Sequence, residues 1–201
     1  MILTVTEIQA WLSDFTKMIE ESKEYLSELD TPIGDGDHGN NMNRGVIEYK
    51  SAFETKKPTT ISDTFKVLSM ALISKVGGAS GPLYGSAFMN LTKATKNIEE
   101  ITSKEQLVTI LETGLTGIQT RGKAEPGDKT MVDVWYTVIE KMKNTDLSKE
   151  SILIAKEQTK QMQAKKGRAS YLGERSIGHI DPGAASSALL FQSLLPYLEK
   201  D

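Results

Sequence analysis

Apolar positions along this chain recur with the spacing of helices, and no run of strict alternation marks a strand. Between Thr6 and Leu29, the residues Ile8, Trp11, Leu12, Phe15, Met18, Ile19, Leu26 and Leu29 keep to one helical face. Thr6 with Gln9 reads as a capping box, so the spacing predicts one long amphipathic helix that delivers Asp30 at its end. Met42, Val46, Tyr49 and Phe53 mark a second helix, ended by Lys56, Lys57 and Pro58. A third runs from about Ser62 through Phe65, Leu68, Leu72 and Val76 and stops at Gly77 and Gly78. The glycine-rich turn that follows leads into a fourth, with Ser80 or Gly81 as N-cap and Pro82 at the first helical position. A fifth opens at Ser103, with Gln106 completing a capping box, and carries Leu107, Ile110, Leu111 and Ile118. Val132, Trp135, Val138, Ile139 and Met142 form a sixth. Ser148 to about Ala164 forms a seventh, with Ile152, Ala155, Thr159 and Met162 inward. Asp181 as N-cap and Pro182 at the first position open a final helix that carries Ala185, Leu189, Leu194 and Leu198. About eight helices imply an all-α architecture, an antiparallel bundle or closed helical barrel with its glycine-rich loops at one end.

Length changes this picture little: 201 residues suffice for one domain, 1–201, with a real core, and no linker divides it. The net charge of -3 is spread over scattered Lys and Arg, so no basic face suggests nucleic acid. The absence of Cys excludes disulfides and thiolate metal sites and suits a cytoplasmic protein. The start MILTVTEIQAW lacks the basic and apolar regions of a signal peptide, and no apolar run approaches the roughly 20 residues that span a membrane.

Chemistry concentrates in Asp30 to Asn43, DTPIGDGDHGNNMN. Asp30, Asp35 and Asp37 are separated by glycines that let the backbone fold tightly enough for them to converge. At about 4 Å and an effective dielectric of about 20, each pair of charges would repel by roughly 4 kcal/mol. The stretch is therefore either a solvated loop whose carboxylates point apart or a site for a hard cation such as Mg²⁺. Gly34, Gly36 and Gly39 satisfy G-x-G-x-x-G, but a helix rather than a strand precedes them and the acids would repel a bare pyrophosphate. An EF-hand counted from Asp35 would need a Glu where Val46 stands.

Two further stretches suit an anion. Val76 to Phe88 and the segment from Lys165 to Phe191 each approach a helix start through glycine, leaving free N–H groups and a positive dipole end; a tight helix–helix turn is the alternative. Gly117 to Lys123 reads G-x-x-x-x-G-K, yet Ala124 follows where a P-loop needs Ser or Thr, and no strand precedes it. Arg121, Lys123 and Lys129 are either solvated surface charges or basic groups facing phosphate. Arg168 or Arg175 could neutralise what remains.

Taken together, GDGDHGNNMNRG from Gly34, GGASGPLYG from Gly77, RGKAEPGDKTMVD from Arg121 and GRASYLGERSIGHIDPGA from Gly167 resemble the L domain of dihydroxyacetone kinases. The free-standing length is similar to DhaL, the ADP-binding subunit of the phosphotransferase-system-dependent enzymes. The resemblance implies an eight-helix barrel with a tightly bound ADP or ATP and two Mg²⁺ at one end, and Asp30, Asp35 and Asp37 as metal ligands. By motif, the nucleotide contacts would be His38, Gly39, Asn40, Asn41, Ala79, Ser80, Gly81, Gly122, Met131, Arg168, Asp181, Pro182 and Gly183. At Asn40 the backbone N–H is the expected contact, and Met131 the apolar neighbour of the adenine. No catalytic side chain is implied. The implied partners are DhaM, a phosphohistidine donor that converts the bound ADP to ATP, and DhaK, which holds dihydroxyacetone covalently. A kinase subunit that exchanges ATP freely, and an ADP-loaded regulator acting through a transcription factor, remain as alternatives.

Overall fold

A computed structural model describes residues 1–199. The elements are α1 Val5–Glu21, α2 Lys23–Asp30, α3 His38–Lys56, α4 Ile61–Lys75, α5 Ser80–Ala94, α6 Lys104–Gly122, α7 Met131–Asn144, α8 Lys149–Gln158 and α9 Pro182–Leu198. Short 3₁₀ segments cover Thr159–Gln161 and Arg168–Ser176. Extended pairing among the described residues is confined to an isolated antiparallel bridge between Leu3 and Ile101.

Several boundaries differ from those expected, each for a local reason. The long first helix is divided at Ser22 (φ -100°, ψ 8°), within a polar run that offers the core no buried side chain between Ile19 and Leu26. The division lets α2 lie close beneath the start of α3: a Cβ on Gly39 would sit 1.8 Å from the Lys23 carbonyl oxygen. The capping box of α1 belongs to Thr4 and Glu7, not Thr6 and Gln9, because Gln9 reaches across to the Pro58 carbonyl at 2.9 Å. Ser103 caps α6 through the Gln106 N–H, but the Gln106 side chain accepts from Thr102 rather than closing a box. At α5 the N-cap is Ala79, so Ser80 opens the helix and Pro82 lies two residues further in, where a missing N–H is still tolerated in the first turn. The seventh expected helix, α8, stops at Gln158 instead of about Ala164. There the buried Thr159 turns its hydroxyl back onto the Lys156 carbonyl at 2.7 Å.

The helices pack mostly on their neighbours in sequence, from α3 through α7, then onto α9, and the ring closes where α1 meets α9, α3 and α4. Inside it Trp11 meets Phe65 edge to face at a centroid distance of 6.1 Å, and Phe65 meets Phe88 at 6.0 Å with the rings tilted by 43°. Trp135 meets Phe191 at 5.0 Å. The Trp11 indole N–H donates to the Leu190 carbonyl at 2.9 Å, so the closure between α1 and α9 carries a buried hydrogen bond as well as apolar contact. This packed ring holds at one end the loops that precede α3, α5, α7 and α9.

Candidate functional site

Those loops enclose a cleft of about 680 Å³. One wall is the acidic turn. Asp30, buried at the end of α2, accepts hydrogen bonds from the backbone N–H groups of Asp37 (2.9 Å) and His38 (3.2 Å), so its carboxylate caps the start of α3 across the turn. Gly34 has to be glycine: a Cβ there would lie 2.0 Å from Asp30 Oδ1. Gly36 turns the chain at φ +74°, a conformation open to glycine. The result brings one carboxylate oxygen each from Asp30, Asp35 and Asp37 within 4.8 Å of one another. Burial, with smaller repulsion from Asp35 and Asp37, raises the Asp30 carboxyl above its ordinary range, against the two backbone hydrogen bonds that lower it. Arg168 reaches over from the loop before α9 and pairs with Asp35 at 2.9 Å, on the solvent side.

His38 sits behind this turn, 5% exposed, and burial holds its imidazole down to about 4, so the ring is neutral. One ring nitrogen meets Ser80 Oγ at 3.2 Å and the other meets Ser186 Oγ at 2.9 Å. Ser186 continues to Tyr84 at 2.7 Å, Tyr84 to Ser187 at 2.9 Å, and Ser187 accepts from the Trp135 indole at 3.2 Å. A chain of buried hydrogen bonds thus joins the starts of α3, α5 and α9 beneath the cleft. A buried ring committed to two serines has the surroundings of a structural link, not of an exposed nucleophile.

The opposite wall is the start of α9 and of α7. Asp181 caps α9 through the Ala184 N–H at 2.7 Å, and burial pushes its carboxyl up to about 7. Thr130 caps α7, with Asp133 accepting from the Thr130 N–H at 2.7 Å and from the Gly127 N–H at 2.6 Å. Leu83, Ile118, Ala124 and Met131 give the cleft an apolar portion.

All three candidate metal ligands line this cleft. So do His38, Asn41, Ala79, Ser80, Gly122, Met131, Arg168, Asp181, Pro182 and Gly183, although they come from four separated motifs. Gly39, Asn40 and Gly81 are not among its lining residues. Gly81 serves packing instead, since a Cβ there would lie 2.3 Å from the Val76 carbonyl oxygen. Arg175 is exposed and away from the lining, whereas Arg168 lines the cleft, as does Arg121 from the end of α6. Of the basic residues read as either surface charges or groups facing phosphate, Arg121 and Lys129 line the cleft and Lys123 does not, and Lys129 is buried at 1% exposure. The T-x-x-D pattern of Thr130 and Asp133 marks a helix start just after it, but nothing in its own spacing announces the burial.

Hard oxygen donors without sulfur or imidazole, converging beside open space, fit a divalent cation of the Mg²⁺ type. Fold and cleft together define an all-α protein whose carboxylate cluster faces several helix starts across one pocket. A family model described as the DAK2 domain matches residues 32–196, and the chain belongs to that family. It is 53% identical over 185 residues to the PEP-dependent dihydroxyacetone kinase 1, ADP-binding subunit DhaL, of Listeria innocua, covering 92% of each chain. It is 50% identical over 194 residues to the PTS-dependent dihydroxyacetone kinase, ADP-binding subunit DhaL, of Lactococcus lactis, covering 96% of this chain and 98% of that one. The fold also matches the crystal structure of the dihydroxyacetone kinase of C. freundii, with a TM-score of 0.73 and 23% identity, over 96% of this chain and 34% of that longer one.

Proposed function

We propose that this chain is the nucleotide-binding subunit of a phosphotransferase-system-dependent dihydroxyacetone kinase. In this reading tightly bound ADP is rephosphorylated to ATP by phospho-DhaM, and the phosphoryl group passes to dihydroxyacetone held on DhaK, giving dihydroxyacetone phosphate. The observation that carries it is the convergence of Asp30, Asp35 and Asp37 across one cleft from the helix start at Asp181, Pro182 and Gly183. Relatives at 53% and 50% identity over almost their whole length carry the name of that subunit, which supports the same reading.

Asp30, Asp35 and Asp37 would hold the divalent ions, which when bound offset the charge of a diphosphate and polarise its oxygens. The chain's own part is positioning and charge. Asp30 is fixed by two backbone N–H groups that both meet Oδ2, which leaves Oδ1 without a backbone donor. The Ser80 N–H at the start of α5 and the Gly183 N–H at the start of α9 offer donors to phosphate oxygens, and the glycines at 77, 78 and 183 keep Cβ atoms out of the way. Ser80 is oriented by neutral His38. Arg168 is within reach of the same oxygens and can leave Asp35 when a stronger cation arrives. Met131 and Leu83 supply the apolar surface that a base would cover. These side chains lower a barrier by holding charge and geometry rather than by moving protons.

Native mass spectrometry of the purified protein tests this directly. The expected result is added mass equal to ADP with magnesium, lost in Asp37→Asn and after EDTA. A wild-type chain that carries no nucleotide and takes up none when ADP and Mg²⁺ are supplied would falsify the proposal.

A further inference from the structure

We propose that Lys129 is a positioning residue for the nucleotide: its ammonium pins the starts of α7 and α9 to the end of α8 in the spacing that the cleft requires. The inference rests on the nucleotide reading above. Lys129 directly precedes Thr130, the N-cap of α7, and its backbone lies at φ 61°, in the left-handed region that non-glycine residues seldom occupy. That conformation turns the side chain inward, where it is 1% exposed. Nζ donates to the Thr159 carbonyl at 2.6 Å and to the carbonyl of His179, two residues before the N-cap of α9. The Thr159 hydroxyl in turn accepts from the Asp181 N–H at 3.1 Å. Lys129, Thr159 and the 179–181 segment therefore form a closed set of hydrogen bonds beneath two helix starts that both line the cleft.

A residue that only filled this space would cost less as an apolar side chain, because burying an ammonium is unfavourable. Burial does lower the lysine, and only the nearby Asp181 and Asp133 charges oppose that shift. What the ammonium adds over a methyl group is direction: it holds the His179 carbonyl of the loop before α9 and adds a second donor to the Thr159 carbonyl, which also accepts from the Met162 N–H at 3.2 Å, and through them it fixes the spacing of Thr130 and Asp181.

Lys129→Met tests this, since it keeps the length and apolar stem but removes the donors. ADP affinity is measured by calorimetry in excess Mg²⁺, at a temperature where circular dichroism finds both proteins folded. The expected result is ADP binding weaker by about tenfold or more, as for loss of hydrogen bonds to a charged group. A change within about twofold would mean that the lysine serves stability alone and would overturn the proposal. Wild-type protein that binds no ADP would overturn it together with the nucleotide reading. If the variant does not fold, the wild-type chain still decides. A protected lysine ¹⁵Nζ signal, assigned by its loss in Lys129→Arg, should be visible and should shift when ADP and Mg²⁺ are added, and an unmoved or missing signal overturns the inference.

Discussion

At the scale of single residues, the site depends on charges and rings whose states are set by burial. His38 is the clearest case: its folded value of about 4 lies below its ordinary 6.5. As pH falls through 6.5 the unfolded chain takes up a proton that the folded chain refuses, so stability drops until about pH 4, where the folded ring is protonated too. The raised carboxyl of Asp181 acts in the opposite sense over the same range, so the group is isolated by comparison. Wild-type protein freed of metal and nucleotide should lose up to about 3 kcal/mol relative to His38→Asn between pH 6.5 and 4, read from urea unfolding at each pH. Parallel curves for the two proteins would show that the ring is not held neutral. At this scale the acids, the glycines and the histidine were all legible as chemistry. The burial of Lys129 was not, because a lysine in a polar loop has the same local pattern whether its side chain points to water or inward.

Among elements, the starts of helices do most to shape the cleft, and their caps are not equivalent. Asp133 is buried and holds two backbone N–H groups, those of Gly127 and Thr130, whereas Thr60 caps α4 at an exposed position by accepting from the Asp63 N–H at 3.0 Å. Asp133→Ala should therefore cost about 2–3 kcal/mol, against about 1 kcal/mol for Thr60→Ala, in chemical denaturation. Equal losses would mean that the loop before α7 finds other partners. Helix existence and face were readable from periodicity throughout. Helix ends were less so: the break at Ser22 and the early stop at Gln158 follow from what packs against those turns, as with Gly39 beneath Lys23, and not from the residues alone.

For the whole molecule, folding and ligand binding should be linked, because the cleft draws its walls from loops that precede four different helices. A ligand at 100 times its dissociation constant adds about 2.7 kcal/mol, which for a chain of this size raises the melting temperature by roughly 5–10 °C. ADP with Mg²⁺ should produce that rise and EDTA should abolish it, as measured by scanning calorimetry. Melting that ignores both would separate the cleft from nucleotide. No helix among the described residues is long and apolar enough to cross a membrane, as the hydropathy of the sequence leads one to expect.

The order of apolar and polar residues by itself determined the class of fold, the number and faces of most helices, and the residue types able to hold a cation and a phosphate, because periodicity and side-chain chemistry are local properties. Only the tertiary structure decided that Asp30 caps α3, that His38 bridges Ser80 and Ser186, that Gly81 packs rather than faces the cleft, and that Lys129 lies inside. Each of these depends on which helix closes the ring beside which, a matter of long-range packing that no stretch of the chain specifies alone.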